Sequence, residues 1–109
     1  MKVKEVLEKM EAIGTADGRG NLLRPLMKVL SPVSIKVLNV LQDLWDGERS
    51  FDDFVKVQNE TIKMCVANEI SPLGQAVREE FKMPHLTMDT EVESIANEEV
   101  STGARQPQV

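Results

Sequence analysis

Residues 32–45 read PVSIKVLNVLQDLW, and the reading of this stretch decides the fold. Val33, Val37, Val40, Leu41 and Leu44 recur at the three- and four-residue spacing that gathers side chains on one face of an α-helix. Ile35, Leu38 and Trp45 widen the stripe, leaving Lys36, Asn39, Asp43 and Asp46 as the polar side. Pro32 suits the first helical turn, where its missing N–H is not needed. A helix apolar around so much of its circumference belongs at the centre of a helical bundle, with Trp45, the single tryptophan, as an anchor of the core.

Toward the N-terminus, Ser31-Pro32 separates this helix from a shorter one expected over Leu22 to Leu30, capped by Asn21 and carrying Pro25 in its first turn. The stretch before it, TADGRGN (15–21), holds two glycines and reads as a flexible polar loop. Val3, Val6, Leu7 and Met10 mark a first helix, Val3 to Ile13, which Gly14 closes.

Toward the C-terminus, Asp46 to Arg49 forms a turn and Ser50 opens a fourth helix. Its apolar side is Phe51, Phe54, Val55, Ile62, Cys65, Val66 and Ile70. Ser50 and Asp53 have capping-box spacing, and Asp52 and Asp53 suit the positive end of the helix dipole. Ser71-Pro72 ends that helix and starts a fifth, Pro72 to about Lys82, with Leu73, Ala76, Val77 and Phe81 directed inward. The expectation is an all-α protein, a compact bundle of four or five short helices. Aromatic residues make up only 4% of the chain and tyrosine is absent, which argues against a sheet-rich alternative.

Charge divides the chain. Residues 1–83 are nearly balanced, with 12 Lys/Arg against 13 Asp/Glu, whereas residues 84–109 hold only Arg105 against five acids. This predicts a helical body over 1–83 and an acidic, mostly irregular tail over 84–109. Thr90 and Glu93 have capping-box spacing, so the tail carries a possible short helix near 91–100, too short to be stable alone. Met88, Val92, Ile95 and Ala96 share its apolar face, spaced for a partner's groove, and Glu91 and Glu93 would steer it toward a basic surface. These six are the candidate partner-binding residues.

Catalytic and metal chemistry find little to stand on. Cys65, the single cysteine, sits on an apolar helix face and reads as a core residue; it excludes an internal disulfide or a multi-cysteine zinc site. His85, the single histidine, has no identifiable group to orient it as a base and reads as a solvated loop residue. Asp43, Asp46, Glu48, Asp52 and Asp53 cluster around one turn without the spacing of an EF-hand loop, and read as turn and capping charges. No catalytic residue, cofactor or metal is therefore expected. No apolar run approaches the roughly 20 residues of a membrane span, and the default location is cytoplasmic. The leading expectation is a non-enzymatic protein-interaction protein. It would be an adaptor, an assembly factor or a small structural subunit such as a viral or phage particle uses, binding a protein partner or itself. The alternative is a nucleic-acid-associated factor, a small regulator or oligomeric packaging subunit, that uses Arg19, Arg24, Lys28 and Lys36.

Overall fold

Val3, Val6 and Met10, spaced three and four apart, are buried along one side of α1 (Val3–Ala12). Glu5 Oε1 accepts the Lys2 N–H at 2.7 Å and so satisfies one donor at the helix start. That backbone hydrogen bond holds the Glu5 carboxyl below its usual range. The remaining helices are α2 (Ala16–Val29), α3 (Pro32–Leu44), α4 (Phe51–Ile70) and α5 (Pro72–Glu80). The structure, a computed structural model, describes residues 1–45 and 47–92. Among these the protein is all-α, and the only strand-like feature is an isolated antiparallel bridge between Lys2 and Glu91. No helix among the described residues is long and apolar enough to cross a membrane.

The packing boundary lies elsewhere than the charge boundary. Among the described residues, one unit comprises Met1–Val29 together with residues 89–92; the other is Leu30–Met88. In the first, α1 packs on α2. The Val3 N–H donates to the Thr90 carbonyl at 3.0 Å, the Val92 N–H donates to the Met1 carbonyl, and Lys4 pairs with Asp89 at 3.1 Å. Val3, Val6, Met10, Leu26 and Val92 are buried there. In the second unit α3 and α5 each pack on α4. Its buried apolar side chains are Leu30, Leu38, Ile62, Cys65, Val66 and Leu86.

Within the stretch 15–21, Thr15 precedes the helix and residues 16–21 are helical rather than a loop. Thr15 Oγ1 accepts the Gly18 N–H at 3.2 Å, so α2 begins six residues before the expected start at Leu22, and Asn21 lies inside the helix instead of capping it. Gly18 is small because of packing: a β-carbon there would fall 2.6 Å from Ile13 Cγ2. Pro25 lies inside α2, where it removes the hydrogen bond that the Asn21 carbonyl would accept in a regular helix.

Local start signals elsewhere operate, although the Ser50–Asp53 pair makes only one of the two capping-box bonds. Ser50 accepts the Asp53 N–H, and Ser71 accepts the Gly74 N–H ahead of Pro72 in the first turn of α5. At the end of α5 the Met83 N–H reaches the Arg78 carbonyl and the Lys82 N–H reaches that of Glu79, both at 2.9 Å. This is a Schellman closure with Lys82, at φ 58°, in the left-handed position usually given to glycine.

Three expectations about the inward faces need correction. On α3 the buried residues are Ser34 and Leu38, while Val33, Val37, Val40 and Leu44 are 54%, 45%, 38% and 77% exposed. On α5 Leu73, Ala76 and Phe81 are exposed, and the buried residue is Arg78. Phe51 of α4 is also exposed. Trp45 is half-buried, edge-on to Phe54 with centroids 5.1 Å apart and with the Arg49 guanidinium 5.4 Å from its ring.

Candidate functional site

Glu69 organises the Leu30–Met88 unit. It falls on the apolar side of α4, one turn past Cys65 and Val66, and is buried. Its carboxylate accepts the Ser31 N–H at 2.9 and 3.1 Å, the Ser31 hydroxyl at 2.7 Å, the Ser34 hydroxyl, and Arg78 Nη1 at 2.6 Å. Burial pushes the Glu69 carboxyl upward, but the hydrogen bonds from Ser34, Ser31 and Arg78 outweigh it and hold it below the ordinary range. It is therefore ionised, and its acceptor positions are filled. Ser31 is the N-cap residue of α3, so Glu69 places a negative charge at the positive end of that helix. The Ser31 hydroxyl donates to Glu69 and makes no side-chain capping bond of its own.

This network explains the rotation of α3. At 100° per residue, Ser34 and Leu38 point about 110° away from the row Val33, Val37, Val40 and Leu44. The apolar arc of α3 is wider than its contact with α4, and drawing Ser34 to Glu69 turns the valine row outward. Val33 and Val37 become one wall of a cleft of about 370 Å³, with Leu73, Gly74 and Val77 of α5 as the other and Ser34, Cys65, Asn68 and Glu69 also lining it. Gly74 is required where α5 leaves α4: a β-carbon would fall 1.8 Å from the Asn68 carbonyl oxygen.

The chemistry of the cleft is quiet. Burial raises the Cys65 thiol; the Ser34 hydrogen bond opposes this in part and the Glu69 charge adds a smaller rise, so the thiol stays protonated. Among the described residues no group of three or more His, Cys, Asp or Glu could hold a metal ion. His85 Nε2 lies 2.7 Å from Glu79 Oε2, a partner not foreseen from the sequence, but both side chains are well exposed.

The residues nominated from sequence are dispersed. Met88 is exposed, and Val92 is buried in the Met1–Val29 unit. Glu91 is exposed at the bridge to Lys2, with Oε1 3.4 Å from the Met1 amino group. Residue 91 is therefore extended, not the start of a helix. Glu93, Ile95 and Ala96 lie outside the described residues. Of the basic set, Arg19 is buried and donates to the Met10 and Ile13 carbonyls at 2.7 and 3.3 Å, the mirror of Glu69: a positive charge at the C-terminal end of α1. Burial lowers its pKa, and it offers no surface to phosphate. Arg24 bonds Asn21 at 2.8 Å; Lys28 and Lys36 are exposed.

The Glu69–Arg78 pair was missed, although one signal was present. Glu69 continues the inward series Ile62, Cys65, Val66 at helical spacing, and a carboxylate on such a face needs a buried partner. Comparison of the chain with protein-family models, with curated proteins and with solved structures finds no match.

Proposed function

We propose that this chain is a non-enzymatic interaction protein, of the adaptor, assembly-factor or small structural-subunit kind, and that it meets a protein partner through α3 and α5. The observation that carries this reading is the outward row Val33, Val37, Val40 and Leu44, continued across the cleft by Leu73, itself 77% exposed. Isolated exposed apolar residues are ordinary, but a row of them along a helix beside an apolar cleft is the form of a docking surface. The filled acceptor positions of Glu69 and the protonated Cys65 favour binding over proton or acyl transfer.

The test is retention of proteins from an extract of the source cells by the purified chain, compared with Leu44→Lys and Leu73→Lys. Both substitutions lie at exposed positions and should leave the helical circular dichroism unchanged. The expected result is at least about a ten-fold loss of the retained partner in each variant. An unchanged set of retained proteins refutes the reading.

A further inference from the structure

The outward row of α3 has the spacing of a coiled-coil seam. Val33, Val37, Val40 and Leu44 are separated by four, three and four residues, the alternation that aligns a and d positions. Lys36 and Asp43 flank the row on one side, seven residues apart, and both are exposed. Among the described residues neither makes an ion pair. Resting on the interaction reading above, we propose that the occupant of this face is a second copy of the chain, its α3 lying antiparallel to the first across a two-fold axis between Val37 and Val40.

Charge complementarity selects this partner and this direction. In the antiparallel pair Val33 lies opposite Leu44 of the second copy, and Val37 opposite its Val40. Lys36 then falls within two residues, about 3 Å along the axis, of Asp43 of the second copy. The two-fold repeats the pair, so two unpaired cations and two unpaired anions become two cross-subunit ion pairs. A parallel arrangement sets Lys36 level with Lys36 and Asp43 level with Asp43, and forms neither. The surface is thus self-complementary, as a two-fold interface must be. The cleft supplies the fit: Leu44, 77% exposed, sits opposite Val33 of the other copy, at the rim of the space between Val33, Val37, Leu73 and Val77. Each copy offers one leucine and one cleft. The seam is only about 16 Å long, so the dimer belongs at the small end of specific interfaces and dissociates on dilution.

Sedimentation of the full chain over roughly a hundred-fold range of concentration should show a passage from one chain to two. Lys36→Asp and Asp43→Lys should each weaken self-association about ten-fold, because both ion pairs become like-charge contacts. Mixing these two variants should restore it, since one then carries acids and the other lysines at both positions. Leu44→Glu should abolish it, with circular dichroism unchanged in every case. A chain that stays monomeric throughout overturns the proposal, as does a dimer indifferent to charge reversal or not restored by mixing. If the chain is monomeric while Leu44→Lys still loses an extract partner, self-pairing falls and the interaction reading stands.

Discussion

Replacing Glu69 by leucine should be among the most damaging single changes available in the Leu30–Met88 unit. It deletes the partner of Arg78, whose side chain is 2% exposed, and strands the Ser31 and Ser34 hydroxyls and the Ser31 N–H. Breaking a buried ion pair by removing one member costs about 3–5 kcal/mol, a large part of the roughly 5–15 kcal/mol that a domain has. Replacing both members removes the orphaned charge, so Glu69→Leu with Arg78→Met should lose much less than Glu69→Leu alone. Urea unfolding followed by Trp45 fluorescence reports on the same unit, because Trp45 packs edge-on against Phe54 of α4. The pH dependence adds a sign. The folded protein holds the Glu69 carboxyl below its ordinary range, so its stabilisation is present above the unfolded value and is lost as pH falls through the lower folded one. The double variant should be less sensitive to acid than the parent. A loss below about 1 kcal/mol for Glu69→Leu, the range of an exposed ion pair, would refute the reasoning. So would a double variant as unstable as the single one.

Three further outcomes follow from single contacts. Gly74→Ala forces a methyl group into the Asn68 carbonyl and should cost about 2–3 kcal/mol in urea unfolding; a neutral result would mean that α5 leaves α4 at another angle. Lys82→Gly relieves a left-handed backbone at the end of α5 and should gain about 0.5–1 kcal/mol net of the added freedom of the unfolded chain, read as a higher melting temperature. Cys65 should resist iodoacetamide at mildly alkaline pH in the native protein and react on addition of urea; prompt native labelling would show an open, ionised thiol.

Helix starts encoded by neighbouring residues were legible. Ser50 with Asp53, and Ser71 with Pro72, act within one turn and need nothing from the rest of the chain. Thr15 acts in the same way, but Gly18 and Gly20 obscured it, because glycine reads as a break whether it serves a turn or a close approach. The orientation of α3 was not legible. Its apolar arc offers two directions for burial, and the choice is made by Glu69, 35 positions beyond Ser34. Arg19 was misread for a related reason: composition counts a cation, whereas the α1 carbonyls that bury it become visible only once two helices are packed. The candidate site therefore rests on residues the sequence displays plainly, but with the face it turns outward reversed.

The bridge between Lys2 and Glu91 has a consequence for biosynthesis. Residues 1–29 leave the ribosome before residues 30–88, but the Thr90 carbonyl that receives the Val3 N–H, and the Val92 side chain buried in the same unit, are made after them. At roughly 5–20 residues per second, the intervening stretch delays them by several seconds. Over that interval α1 and α2 wait with Val3 unsealed while α3, α4 and α5 emerge, and the Leu30–Met88 unit is itself complete only with Leu86, four residues before Thr90. Both units are thus completed late and close together, and α1 and α2, although made earlier, stay open to proteases until residues 89–92 arrive.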